Sequence, residues 1–138
     1  MAEPASVSPK FVSDLYGGAI ISHSPIVCPI VPGAQLILLG SIMCYNDPQN
    51  LLGQGQDHRL RIIASAEDIP FIFGILLETI DAGPAGATDP VNASVDRKGS
   101  FRVEQLEVGL GATVTVPQCS EKLRDLGIML EGLAAFGS

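Results

Sequence analysis

The chain has 138 residues, of which 46% are hydrophobic and only 17% charged. That balance excludes wholesale disorder and fits one domain with or without a tail. Its formal charge of −7, with eight Lys and Arg and no basic cluster among them, argues against nucleic acid and acidic membrane surfaces as partners.

Fifteen Gly and ten Pro punctuate the chain and favour short strands joined by turns over long helices. Residues 1–18 include Pro4, Pro9 and several serines and show no helical or strand period, yet Phe11, Val12, Leu15 and Tyr16 are apolar. Such a segment cannot build a core of its own and is too apolar for a solubilising tail. It reads as an arm, loose alone and ordered on a partner. Residues 19–138 read as one β-rich domain.

In 19–32, Ile20, Ile21, Ile26, Val27, Ile30 and Val31 are β-formers, and Pro25, Pro29 and Pro32 confine the segment to edges or turns. Pro32-Gly33 predicts a turn, followed by a strand over 35–45 with Gly40 as a bulge candidate. Residues 46–57 have the polar, Gly-rich composition of a surface loop. A short strand is expected over 60–64, a turn over 67–70, and the longest buried strand over 71–80. After a Gly, Ala and Pro loop (81–90), the alternating 91–95 and the segment 101–103 are expected to pair as a hairpin. Residues 112–116 alternate again. One helix is predicted, with Ser120 as N-cap, Leu123 and Leu126 on its apolar side and Gly127 at its end, before 128–130 extend. The expected class is all-β, β-dominant with one or two short helices.

Membrane insertion and export signals are not expected. The apolar stretch 20–43 is interrupted by His23, Pro25, Pro29, Pro32 and Gln35, which leaves no run long enough for a span. Glu3 and the lack of a basic start argue against a signal peptide.

Candidate chemistry is sparse. Cys28, Cys44 and Cys119 are odd in number and widely spaced, unlike a disulfide framework or zinc site. His23 and His58 read as surface or hydrogen-bonding residues, and Glu67, Asp68, Glu78, Asp81, Glu104 and Glu107 as a solvated acidic face. The Gly53–Gly55 and Gly109–Gly111 segments lack the lysine and strand–helix setting of a phosphate loop and read as turns. Trimeric dUTP pyrophosphatases share this size and a Gly-rich end like 136–138, but their phosphate and uracil motifs are missing. The reading is therefore no enzyme, no catalytic residues, no metal, no cofactor and no small-molecule substrate.

A resemblance then enters. Gly74-Ile75-Leu76-Leu77-Glu78 followed by Ile80-Asp81-Ala82 resembles the strand and turn of lambda-type bacteriophage head decoration proteins. Arg97-Lys98-Gly99-Ser100-Phe101-Arg102-Val103-Glu104 is similar to that family's Gly-x-Phe-Arg hairpin. Leu123-Arg124 to Gly127-Ile128-Met129 resembles its closing helix and strand, and Pro32-Gly33-Ala34-Gln35-Leu36 to Leu39-Gly40-Ser41 its first core strand and turn. These stretches span 33–130 with gaps; order and spacing carry the likeness. The polar insertion at 46–57 and the tail after Glu131 depart from the pattern.

The resemblance implies a compact β-tulip-like decoration domain with an extended N-terminal arm. It implies a homotrimer on the outer face of the phage head, at threefold positions of the expanded capsid, with the major capsid protein as partner. Its implied role is to stabilise the shell against DNA pressure, after synthesis in the host cytoplasm. Joined to the arm reading, it nominates Phe11, Val12, Leu15, Tyr16 and Ile20 as capsid-binding. The alternative is another structural β-domain of the virion, from the tail or neck. Stability is expected to be indifferent to chelator and mild reductant.

Overall fold

The computed structural model describes residues 15–17, 23–47 and 57–132. In chain order they form β1 (Pro25–Ile30), β2 (Leu36–Ile37), β3 (Ile42–Asp47), β4 (Asp57–Ile62), a 3-10 helix (Ala66–Phe71), β5 (Ile72–Leu76), β6 (Ile80–Asp81) and β7 (Val91–Asp96). Then follow β8 (Gly99–Arg102), a 3-10 turn (Val103–Gln105), α1 (Val116–Asp125) and β9 (Ile128–Glu131). The protein is a mostly β domain, as its punctuation by Gly and Pro suggested.

Five strands close a barrel in the order β1-β4-β3-β5-β7, antiparallel except for the short β1/β4 contact at Ile30 and Leu60. Two small sheets flank it: β2 with β6, and β8 with β9 in parallel. Pro25 and Pro29 fit inside β1 because of where their missing N–H groups would point. Val31 N–H donates to Leu60 O at 2.9 Å, so odd-numbered residues of β1 face β4, and there the two strands pair only at Ile30. No ladder bond is lost at either proline.

Two apolar cores explain the hydrophobic pattern. The barrel interior holds Cys28, Ile30, Ile37, Met43, Leu60, Leu76, Ala82, Ala93 and Val95. A second core, between the barrel wall and the α1–β8–β9 layer, holds Leu15, Ile42, Cys44, Ile63, Ile72, Ile75, Phe101, Leu123 and Ile128 among others. Strands β3 and β5 separate the two, so both of their faces are buried. They consequently read as continuous apolar runs, whereas β1 alternates with solvent along its second half.

Several local expectations shift. The run 35–45 is not one strand: Gly40 takes φ +94° and its N–H donates to Leu76 O, so a turn divides β2 from β3. The 71–80 run is shortened at its start by the 3-10 helix over Ala66–Phe71. There Asp68 accepts from the backbone N–H groups of Ala64 and Ser65, both at 3.1 Å, and from both terminal nitrogens of Arg61 at 3.0 and 2.8 Å.

The 91–103 hairpin does not form. After β7 the chain turns at Gly99 (φ +128°), and β8 pairs in parallel with β9 instead of folding back on β7. Residues 112–116 alternate because Val114 is buried in the outer core, without being a strand. The helix starts earlier than Ser120: Thr115 is its N-cap, Pro117 holds the second helical position, and Gln118 reaches back to accept from Thr115 N–H at 2.8 Å. Ser120 lies inside the helix.

Candidate functional site

Residues 15–17 are anchored in the domain. Leu15 is fully buried in the outer core, Tyr16 forms an antiparallel bridge with Phe101, and Gly17 N–H donates to Ser100 O at 2.9 Å. These residues thus lie along the free side of β8. The expectation that Leu15 and Tyr16 belong to a loose arm is corrected here: burying a Leu side chain gains roughly 1.5–3 kcal/mol, and the Tyr16 bridge and the Gly17 hydrogen bond add to it. Leu15 has no surface left to offer a partner. Phe11, Val12 and Ile20 lie outside the described residues.

Around this root is a partly buried polar and aromatic cluster. The rings of Tyr16 and His23 lie 4.1 Å apart, and His23 meets Phe101 edge-on at 5.5 Å. His23 Nδ1 pairs with Asp96 Oδ2 at 2.6 Å, while Asp96 Oδ1 accepts from Ser24 N–H at 2.7 Å. Asp96 is fully buried at the end of β7. Burial, reinforced by the Asp96 charge, raises the Tyr16 hydroxyl above its ordinary pKa. Ser100 Oγ donates to Glu131 Oε2, which ties β8 to β9. Two glycines make the close packing feasible: a Cβ at Gly99 would overlap the His23 ring, and one at Gly17 would overlap Glu131 and Ser100.

A His oriented by a buried carboxylate is a frequent arrangement for a general base. Here the imidazole is instead held between Tyr16 and Phe101, with its ring 4.1 Å from that of Tyr16 and 5.5 Å from that of Phe101. The cluster fastens the chain's entry into the barrel. Nothing in the sequence around His23 signals this, because Asp96 and Phe101, which complete the cluster with nearby Tyr16, are far from it in the chain.

The cysteines serve as apolar filling. All three are buried and unpaired, and burial pushes the thiol of Cys44 up to about 12 and that of Cys119 to about 11. Such thiols are poor nucleophiles at neutral pH. Among the described residues no three His, Cys, Asp or Glu converge as a metal would need, and no helix is long and apolar enough to cross a membrane.

An apolar rim lies at the β2 side. Leu36 is 64% exposed, Leu38 is partly exposed and Leu110 is fully exposed. Together with Ala34 and Val108 they border a groove of about 340 Å³. The Gly109–Gly111 segment is indeed a turn, with Gly111 at φ +74°, and it projects Leu110. Gln35 takes φ +61°, a region L-residues seldom visit, and is held there by backbone bonds to Gly83 and Ala82. The expected strand over 35–45 hid this rim; Pro32-Gly33 and Gly40, which bracket it, were the available signal.

No protein-family model and no curated protein matches this sequence.

Proposed function

We propose that this chain is a lambda-type phage head decoration protein: a homotrimer that binds the major capsid protein on the outer face of the expanded head, at threefold positions, and stabilises the shell. The observation that carries the reading is the clamp at Leu15–Gly17. It gives the preceding segment, with Phe11 and Val12, a root held on the domain of an acidic chain. In a trimer three such roots would present three capsid-seeking segments as one unit. The second and third contacts then form at high effective concentration, so weak individual segments suffice.

The apolar rim of Leu36, Leu38 and Leu110 supports self-association, since exposed leucines grouped around one groove suit an interface between copies. His23 and the three cysteines are committed to packing, which favours a structural over a catalytic role. Light scattering at micromolar concentration tests the trimer: the expected mass is about three times 14.4 kDa, and a mass near 14.4 kDa contradicts it.

A further inference from the structure

A second groove, sharing no lining residue with the rim, lies where β3, β4 and β5 meet α1. Its floor is aromatic. Tyr45 of β3 and Phe73 of β5 meet edge-on at 5.5 Å, and the His58 ring of β4 lies 5.3 Å from Tyr45. The register between β3 and β5 passes from Met43↔Gly74 to Cys44↔Ile72, so Phe73 is the residue left without a partner. A bulge of this kind re-aims a side chain, and here it sets the Phe73 ring against Tyr45. The walls are cationic: Arg97 places its guanidinium 4.7 Å from the Phe73 centroid, and Lys122 comes from α1. The space enclosed is about 320 Å³.

The basic residues differ in how they are engaged. Arg59 is paired with Asp57 at 2.8 Å, and Arg61 with Asp68. Arg97 and Lys122 form no ion pair with a carboxylate among the described residues. In a chain of net charge −7, two such cations beside one aromatic floor set a local charge opposite in sign to that of the whole molecule.

We infer that this groove docks an acidic polypeptide segment, with an aromatic or aliphatic side chain on Tyr45 and Phe73 and flanking carboxylates at Arg97 and Lys122. A guanidinium fork matches a carboxylate in geometry, and aromatic rings supply rigid apolar area at low entropic cost. A nucleic-acid strand is disfavoured, because its affinity grows with the number of phosphates neutralised and the acidic remainder of the surface would repel it. The inference goes beyond the decoration reading and does not depend on it.

The test is a titration of the full chain, followed by amide NMR shifts. The probe is a capped peptide carrying one phenylalanine flanked on each side by glutamates. Saturable shifts are expected at Tyr45, His58, Phe73, Arg97 and Lys122, with affinity falling as salt rises. The double variant Arg97→Gln/Lys122→Gln should weaken binding by about tenfold or more. Replacing the peptide glutamates by glutamines should do the same without touching the protein, which keeps the test valid if the variant is unstable. Shifts elsewhere, equal binding of a lysine-flanked peptide, or undiminished affinity in either substitution arm would overturn the inference. So would adenosine monophosphate shifting these residues while the peptide leaves them unmoved.

Discussion

The two cores of this domain use similar residues but are assembled differently. The barrel interior comes mainly from strands that pair with neighbours on both sides, and each strand contributes inward side chains at period two. The outer core gathers Leu15, Phe101, Val114, Leu123 and Ile128 from segments that share no regular pattern, and seals them against the backs of β3 and β5. The first core defines the barrel. The second fastens the entry of the chain, the helix and the small β8–β9 sheet onto it. The difference teaches that the anchoring of the N-terminal segment depends on long-range packing, and that it should be separable from barrel closure.

Phe101→Ala breaks that arrangement most directly. The ring is fully buried and touches both Tyr16 and His23, so its removal should cost about 3–5 kcal/mol. Hydrogen exchange at Gly17 should accelerate more than exchange within β3, since the Gly17 bond runs to Ser100 beside the lost ring. Equal acceleration in both places would mean the two cores are one cooperative unit.

Asp96→Ala probes the junction between them. It strips the acceptor from Ser24 N–H and from His23 while leaving both in place, at a cost of about 3 kcal/mol in denaturant unfolding. A loss below about 1 kcal/mol would show that the cluster is peripheral to stability.

A smaller effect is expected from acid. The Arg61 guanidinium beside Asp68 holds that carboxyl at about 2, below its ordinary 3.8. A group whose folded pKa is depressed stabilises the fold above its unfolded value and loses that contribution as pH falls through the folded one. Asp68 should therefore contribute about 2 kcal/mol at neutral pH, lost between about pH 4 and pH 2. Asp57, lowered by Arg59, acts in the same direction from a more exposed position. Asp68→Asn should flatten the acid limb of the stability profile; an unchanged limb would assign it to other carboxylates.

How much of this was legible in the sequence follows the same division. Strands β1, β4 and β7 face one core; β1 and β7 emerged from β-formers, alternation and turn residues, whereas β4 runs over Asp57–Ile62 instead of the expected 60–64 and begins in what read as polar loop. Runs such as 35–45 and 71–80 were visible as apolar but not as divided. Their breaks depend on Gly40 in a left-handed conformation and on the Asp68–Arg61 contact, which periodicity does not report. The β8 partner was misassigned because the turn at Asp96–Gly99 looks like a hairpin locally. What redirects it is Gly99 packing under His23 and pairing with a strand beyond the helix. Leu15 and Tyr16 looked like binding residues because apolar side chains in a Pro- and Ser-rich segment have no local partner; Tyr16 meets Phe101, and Leu15 is buried in the same outer core.

The smallest stability change should come from Leu36→Ser combined with Leu110→Ser. Both side chains are exposed, so the fold should lose no more than about 0.5 kcal/mol. If the rim joins copies, the same pair should shift the mass in solution toward the single chain.

The decoration reading itself rests on what happens at a capsid. The direct measurement is co-sedimentation of the full chain, and of a version beginning at Leu15, with heads assembled from the proposed partner, the major capsid protein, before and after expansion. The full chain is expected to pellet with expanded heads only, saturating at three copies per threefold site, and the shortened version to bind weaker by orders of magnitude while keeping its melting temperature. A full chain that stays in the supernatant, or that binds unexpanded heads equally, contradicts the account.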